Sequence, residues 1–168
     1  MAQGLEITVR RAKASDADTI AAFVNRALAR PAAVDEQAVI ERFGSVGFLL
    51  AERGGVPMGM LGWQAENLVV RVTDLLIWPA SERVAVSRVL LAGMEQAAIE
   101  LQCEAVLFFL PYPSPPQVVE FWRAFGYEPR VVADLPKVWQ EAAREADTGD
   151  DGAVLMKQLR ARRVVHPL

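Results

Sequence analysis

Hydrophobic positions recur along the chain with two different periods, and these periods predict alternating strands and helices. Apolar residues that alternate or run together predict strands at 7–11, 48–53, 56–66, 68–78, 105–110, 127–133 and 153–160. Apolar residues at helical spacing predict helices at 15–31, 35–43, 81–101, 117–125 and 136–146. Ser15 is the predicted N-cap of the first helix, and Gly54-Gly55 predicts a tight turn between the second and third strands.

This order of elements predicts a single α/β domain over residues 1–168, with a mixed sheet and helices on both faces. The three strands from 48 to 78 are expected to form an antiparallel meander. The strand–helix–strand unit from 68 to 110 is expected to form a parallel, right-handed crossover. The last strand is expected at a sheet edge. Such an edge could pair with a second copy in a homodimer, which the sequence does not decide.

Composition narrows the classes of partner. Hydrophobic residues make up 52% of the chain and charged residues 23%, which is typical of a globular protein. The net charge of −3 argues against a broad nucleic-acid surface, which needs clustered Lys and Arg. No apolar run approaches the roughly 20 residues of a membrane span, and residues 1–6 do not resemble a signal peptide. A cytoplasmic location is therefore expected.

The chain contains one cysteine, Cys103, and one histidine, His166. An internal disulfide is therefore excluded, and a Cys/His metal cluster is not expected. His166 lies near the end of the chain, which argues against a catalytic triad built on it. The chemistry is expected to use carboxylates, hydroxyls, backbone amides or a coenzyme, and Cys103 is expected to be a small packed residue.

Four segments, in order, resemble the GNAT superfamily of acyl-coenzyme A dependent N-acetyltransferases. Residues 7–28 resemble the family's opening strand and first helix. Residues 75–98 ("LLIWPASERVAVSRVLLAGMEQAA") resemble its coenzyme-side strand, proline loop and helix. Residues 118–130 ("VVEFWRAFGYEPR") resemble the family's helix, turn and strand, and 153–160 resemble its closing strand. The resemblance implies a GNAT-like fold and direct transfer of an acetyl group from acetyl-CoA to an amine of a small molecule or peptide.

The resemblance also implies that backbone amides at the start of the central helix bind the pyrophosphate of coenzyme A, within a Gln/Arg-x-x-Gly-x-Gly/Ala pattern. This chain departs from the pattern, with Glu82, Ala85 and Ser87 at the three key positions. The implied coenzyme-binding residues are Leu75, Ile77, Glu82, Arg83, Val84, Ala85, Val86, Ser87 and Trp122.

Two interpretations of the altered loop stay open from the sequence. In the first, Ala85 and Ser87 are small enough for the amides to reach phosphate, and the Ser87 hydroxyl adds a donor. In the second, the Glu82 carboxylate satisfies the helix dipole itself and repels a pyrophosphate unless it points away.

The resemblance also implies a general acid and a general base. The position of the family's acidic Tyr is occupied by Trp122, whose indole donates a hydrogen bond but is not an acid. Tyr112 or water could instead protonate the departing thiolate, or the modest pKa of the thiol could let it leave without a general acid. Asp74, the one acid in strand 68–78, is the candidate catalytic base, because burial would raise its pKa. The competing hypothesis makes Asp74 a structural residue bonded to an arginine such as Arg71.

The resemblance places the acceptor pocket between the first two helices and the third and fourth strands. Trp63, Trp78 and Phe43 are the aromatic residues expected to line it. The acidic loop at 147–151 is a weaker candidate for attracting an amine. The alternative function is a catalytically inactive GNAT-like module that binds a ligand or dimerises.

Overall fold

The computed structural model describes residues 6–29, 34–110, 115–145 and 153–160. Its seven strands are β1 (Ile7–Arg11), β2 (Gly47–Arg53), β3 (Val56–Glu66), β4 (Val69–Ile77), β5 (Ala105–Leu110), β6 (Glu128–Val131) and β7 (Ala153–Gln158). The α-helices of this part of the chain are α1 (Ala17–Ala27), α2 (Glu36–Arg42), α3 (Arg83–Glu100), α4 (Pro116–Arg123) and α5 (Lys137–Glu145).

The strands form a mixed sheet in the order β1-β2-β3-β4-β5-β7-β6. The chain divides into two compact units, which we call the first unit (Met1–Gln64 with Thr73–Met94) and the second unit (Ala65–Val72 with Glu95–Leu168). The predicted α/β fold class is confirmed, and a single domain over 1–168 stays a prediction. No helix among the described residues is both long enough and apolar enough to cross a membrane.

Strand alternation gives the first unit two covered faces. Phe48 and Leu50 of β2 point to one face, where they join a buried cluster with α1 and α2. Leu49 points to the opposite face, towards Gly93 of α3. The cluster with α1 and α2 contains Ala12, Ala17, Ile20, Ala21, Phe23, Val39, Val46, Phe48, Leu50 and Met60.

Glycines bring α3 close to this sheet. A Cβ added to Gly59 of β3 would lie 2.5 Å from Val86 Cγ1 and 3.1 Å from Leu90 Cδ1, both on α3. A Cβ on Gly93 would lie 3.2 Å from Val9 Cγ1 of β1. The backbone of β3 and the first turns of α3 therefore pack at a distance that leaves no room for a side chain at Gly59.

The second unit contains the strand pairing that the predicted parallel crossover requires. Val69–Arg71 of β4 pair in parallel with Ala105–Leu107 of β5, which confirms the parallel pairing. The last strand, β7, is antiparallel to β5 on one side and to β6 on the other. The expectation that the last strand lies at a sheet edge is therefore wrong, because β6 occupies the position outside it.

The predicted insertion at 136–146 contains a core helix of the second unit. Trp139 of α5 is buried, and its indole nitrogen donates a hydrogen bond to the carbonyl of Asn67 at 2.9 Å. The buried cluster around it contains Val69, Ala105, Leu107, Leu135, Trp139, Val154 and Met156. The segment 136–146, to which the sequence assigns no role, thus packs on the sheet of the second unit through Trp139.

The start of the first helix differs from the prediction. Ser15 lies inside a 3-10 turn, Ala14–Asp16, and α1 begins one residue after it. Asp16 stabilises this corner instead, because its carboxylate accepts from the Lys13 amide at 2.8 Å and from both Arg10 Nη atoms. These bonds, led by the one from Arg10, lower the pKa of Asp16 to about 2. The predicted N-cap at Ser15 is therefore wrong.

Replacing Gly59 with alanine should reduce the free energy of unfolding by about 1–3 kcal/mol, because the new methyl group overpacks against Val86 and Leu90. Chemical denaturation measures this difference. Gly44→Ala is the matched control, since the nearest atom to its added Cβ is a backbone oxygen at 3.8 Å. Equal stability of the two variants would contradict the close approach of α3.

Candidate functional site

A cavity of about 470 Å³ opens in the first unit among α1, α2, β2, β3 and β4. Arg42 of α2 and Asp74 of β4 are the charged side chains among the described residues that line it, and the other lining residues are apolar. The apolar lining includes Ile20, Val24, Val39, Phe48, Met60 and Leu76. The cavity is thus an apolar space with one cation and one anion in its wall.

Hydrogen bonds to side chains fix α2 beside α1. The Asn25 amide group of α1 donates to the Val34 carbonyl at 2.7 Å and accepts from the Val34 amide at 2.8 Å. Asp35 then caps α2, because its carboxylate accepts from the Ala38 amide at 2.8 Å. These bonds position Arg42, the last residue of α2, against the cavity.

Asp74 is held by two neighbours. Arg42 donates from Nη1 to Oδ1 at 2.9 Å and from Nη2 to Oδ2 at 2.6 Å, and Thr73 Oγ1 donates to Oδ2 at 2.7 Å. The hydrogen bond with Asp74 is the largest cause that raises the pKa of Arg42. The structural hypothesis named Arg71, but Arg71 donates to the Ala142 carbonyl at 3.4 Å instead. The arginine partner of Asp74 is therefore Arg42 of α2 and not Arg71 of its own strand, β4.

A glycine on β3 makes room for this carboxylate. A Cβ at Gly62 would lie 2.8 Å from Thr73 Oγ1, 3.1 Å from Phe48 Cε1 and closer still to Asp74 Oδ2. A glycine within a strand often marks such a close approach, so Gly62 is the sequence signal that could have identified this corner. The Arg42 guanidinium also lies 5.3 Å from the centre of the Phe48 ring.

The aromatic residues expected in the pocket lie elsewhere. Trp63 is buried with its ring against Gly47, and Trp78 is exposed with the Arg26 guanidinium 5.1 Å from its ring. Phe43 packs edge-on against Phe48 at 5.2 Å and does not line the cavity itself. Trp63, Trp78 and Phe43 are not among the residues that line this cavity, and Phe48 is the aromatic residue of the lining.

The altered phosphate loop forms the beginning of α3. A 3-10 turn, Ala80–Glu82, precedes the helix, and within it the Glu82 amide donates to the Pro79 carbonyl at 3.0 Å and the Arg83 amide donates to the Ala80 carbonyl. The next amides of the first turn have no partner within the helix. The Glu82 carboxylate accepts from Arg53 of β2, from Nη1 at 3.0 Å and from Nη2 at 3.2 Å. This bond is the largest cause that lowers the pKa of Glu82. Arg53 thus balances the negative charge of Glu82 at the start of α3.

Side chains of the loop differ in burial. Arg83, Val84 and Ala85 are exposed, whereas Ser87 is 0% exposed. The Ser87 hydroxyl oxygen is buried and has no hydrogen-bond partner among the described residues. A buried polar atom without a partner is costly, but Ser87 is fully buried, so the role of its hydroxyl as a phosphate donor stays a prediction.

The remaining predicted coenzyme contacts on β4 are Leu75 and Ile77. Both side chains are partly buried. Leu75 lies in the wall of the cavity, and Ile77 ends the strand, with its Cγ1 3.3 Å from an added Cβ at Gly59. The structure therefore brings Leu75 and Asp74 to one cavity, and it places Ile77 beside the first turns of α3.

Trp122 lies in the second unit and forms part of an aromatic cluster there. It stacks on Phe108 at 4.2 Å and meets Tyr127 edge-on at 5.2 Å. The Tyr127 hydroxyl donates to Glu95 at 3.1 Å, and burial is the main cause that raises the pKa of Tyr127. Sequence reasoning missed this buried phenol. The contact of Trp122 with coenzyme stays a prediction.

Two weaker candidates, Tyr112 and the acidic loop at 147–151, lie outside the described residues. Cys103 is buried, and burial raises the pKa of its thiol, as expected for a packed residue. Within the described ranges no group of three or more His, Cys, Asp or Glu side chains is arranged to hold a metal ion.

At the level of sequence, no family model and no curated protein matches the chain. Solved structures do match its fold. An N-acetylglutamate synthase from Neisseria gonorrhoeae, complexed with coenzyme A and N-acetyl-glutamate, has a TM-score of 0.68 and 16% identity over 95% of this chain. The chain spans only 36% of that protein.

Two other matches extend over whole proteins. The ribosomal-protein-S18-alanine N-acetyltransferase from Escherichia coli has a TM-score of 0.67 and 13% identity, covering 96% of this chain and all of its own. An acetyltransferase of the GNAT family from Staphylococcus aureus Mu50 has a TM-score of 0.67 and 13% identity, covering 92% of this chain and all of its own. The similarity confirms the predicted GNAT-like fold.

Arg53→Gln should return the pKa of the Glu82 carboxyl towards its ordinary value, because the charged donor that lowers it is lost. Since the folded-state pKa of Glu82 is lowered, this pair stabilises the fold above the ordinary carboxyl pKa, and the contribution disappears as the pH falls. Carbon-detected NMR titration of the side-chain carboxyls measures the pKa. Arg88→Gln, an exposed change on α3, is the control, and identical Glu82 titrations in both variants would contradict the pairing.

Proposed function

We propose that this chain, which has the fold of the GNAT N-acetyltransferases, transfers an acetyl group from acetyl-CoA to an amine of a small molecule or peptide. The observation that carries the proposal is the apolar cavity with Asp74 in its wall, on a fold shared with solved N-acetyltransferases. One of the matching structures, the N-acetylglutamate synthase, is complexed with coenzyme A.

The residues at the start of α3 fit the coenzyme. The Glu82 and Arg83 amides already donate to the Pro79 and Ala80 carbonyls, so the candidate donors are the amides of Val84 and Ala85, and the helix dipole favours an anion there. Glu82 does not oppose this charge, because its carboxylate binds Arg53. The buried Ser87 hydroxyl is a further donor without a partner among the described residues. In the proposal, residues 82–87 hold the pyrophosphate, main-chain groups of Leu75 and Ile77 hold the rest of the coenzyme, and Trp122 contacts it.

Bound acetyl-CoA supplies the acetyl thioester. In the proposed reaction Asp74 takes a proton from the acceptor ammonium, and the freed amine nitrogen forms a bond to the acyl carbon. The carbon–sulfur bond breaks, the nitrogen releases its second proton to solvent, and the thiolate leaves with the electron pair, since the thiol's own pKa is modest. Arg42 must release at least one carboxylate oxygen for Asp74 to act, because it donates to both.

A ligand-binding module without catalysis is the second candidate. One observation favours it: both oxygens of Asp74 are engaged by Arg42, and a carboxylate engaged in this way is satisfied without a substrate. The two candidates agree on the cavity as the site of the ligand. They differ in whether coenzyme A binds and whether acetyl transfer follows.

Ala85→Asp should weaken the binding of coenzyme A by about tenfold or more, since it adds a negative charge where the pyrophosphate is expected. The change leaves folding intact, because Ala85 is exposed and aspartate is favourable in the first turn of a helix. Isothermal calorimetry with acetyl-CoA, and separately with free coenzyme A, measures the affinity.

Ala92→Asp is the matched control for this experiment. It places the same charge on an exposed position of α3, two turns further along the helix. We expect its coenzyme affinity to equal that of the unchanged protein. Equal affinity of the Ala85→Asp variant and this control would contradict the loop assignment, and the absence of heat with the unchanged protein would favour the non-catalytic module.

Asp74→Asn should lower kcat for acetyl transfer by about 10²–10⁴-fold if Asp74 is the base, because the amide cannot take the proton. Coenzyme affinity should stay unchanged. Steady-state assay of thiol release measures the rate, and calorimetry measures the affinity. Asp18→Asn, at an exposed position of α1, serves as the control. Full activity of the Asp74→Asn variant would exclude Asp74 as the base.

A further inference from the structure

The charges in the cavity wall cancel. Arg42 and Asp74 contribute one positive and one negative charge, and the other described lining residues are apolar. Both groups are accessible, because the side chains of Arg42 and Asp74 are 43% and 28% exposed. The pair is therefore a polar end of the cavity that a ligand reaches without unfolding α2.

Arg42 retains binding capacity beside Asp74. A guanidinium has five N–H donors in a planar fork, and the bonds to Asp74 use two of them. The remaining N–H groups suit a second carboxylate, which is the anion that an arginine fork binds best. The Asp74 carboxylate, in turn, suits an ammonium group.

We propose that the cavity takes a free α-amino acid with an apolar side chain. The ligand carboxylate binds Arg42, the α-ammonium group binds Asp74, and the side chain enters the apolar part of the cavity. The inference deepens the proposed function, and it rests on that function for the statement that this amino acid is the acetyl acceptor.

Charge balance favours a zwitterion over the other amines. When a zwitterion binds, the remaining N–H groups of Arg42 meet the ligand carboxylate and the Asp74 carboxylate meets the ligand ammonium group, so the cavity stays neutral. A simple alkylammonium ion would add an uncompensated positive charge beside a neutral pair, which is costly in an apolar space. An acidic amino acid would carry a second carboxylate into that space without a cation to meet it.

The apolar lining selects the side chain. Ile20, Val24, Val39 and Met60 offer aliphatic and thioether surface, and Phe48 offers an aromatic face. Burial of an apolar side chain against such surface supplies affinity in proportion to the buried area. The volume of about 470 Å³ falls in the range of small-molecule pockets, so an amino acid fits within it.

In the reaction, Asp74 removes one proton from the α-ammonium group, and the α-nitrogen forms an amide bond to the acetyl carbon. The carbon–sulfur bond of the thioester breaks, and the electron pair leaves with the sulfur. The products are an N-acetyl amino acid and coenzyme A, and the second amine proton is released to solvent. Arg42 holds the carboxylate throughout.

Binding to the protein without coenzyme tests the inference directly. Calorimetry with L-leucine, L-leucinamide, 3-methylbutylamine and L-glutamate compares ligands that share a side chain or a head group. L-leucine should bind about ten- to hundredfold more tightly than leucinamide and methylbutylamine, which lack the carboxylate. L-glutamate should bind more weakly than L-leucine. Equal binding of L-leucine and methylbutylamine would overturn the inference.

Arg42→Gln should remove the preference for L-leucine over leucinamide, and Arg42→Lys should restore part of it. Arg10→Gln is the matched control: the Arg10 side chain is also 43% exposed and also binds an aspartate with both Nη atoms, but it does not line the cavity. The control should keep the preference. A preference that survives in Arg42→Gln, with a normal thermal melt, would contradict the role of Arg42.

The inference and the proposed function fail separately. If coenzyme A binds and methylbutylamine is acetylated while L-leucine neither binds nor reacts, the amino-acid inference is overturned and acetyl transfer stands. If L-leucine binds with the expected dependence on Arg42 but neither coenzyme A nor acetyl-CoA binds, the ligand class is supported and the enzyme proposal fails.

Discussion

The first unit depends on two positions of β3 that have no side chain. The two glycines lie three positions apart and therefore face opposite sides of the strand. On one side Gly59 admits the first turns of α3, and on the other Gly62 admits the carboxylate of Asp74. A side chain at either position would push apart elements that carry the proposed chemistry. The proposed phosphate loop and the proposed acceptor cavity thus each depend on one missing Cβ atom of β3.

Local patterns were enough to predict most elements. The limits of β1, β3 and β5 agree with the apolar pattern to the residue, because alternation is a property of a few neighbouring side chains. Pairing between distant strands leaves no such trace. Nothing in residues 153–160 indicates that β7 lies between β5 and β6, because the order of strands in the sheet depends on pairing with distant segments. The core role of α5 was missed for the same reason: Trp139 is explained only by its contact with Asn67.

The site was predictable as a set of positions but not as a set of partners. The resemblance led to Asp74 and to the residues from Glu82 to Ser87. Their neighbours, Arg42 and Arg53, come from segments 32 and 29 residues away. Both partners are arginines, and both meet a carboxylate with two nitrogen atoms. The local sequence around each acid resembles that around any exposed acid, so only the fold reveals that these two charges are balanced.

The pairing of Glu82 with Arg53 has an evolutionary consequence. Loss of the arginine alone leaves an anion at the helix start, and loss of the glutamate alone leaves a cation there, so each single change alters the charge that faces the loop. A paired change preserves it. Although they are far apart in the chain, positions 53 and 82 should therefore vary together among relatives of this protein. A relative with glutamine at position 82 would not need arginine at position 53.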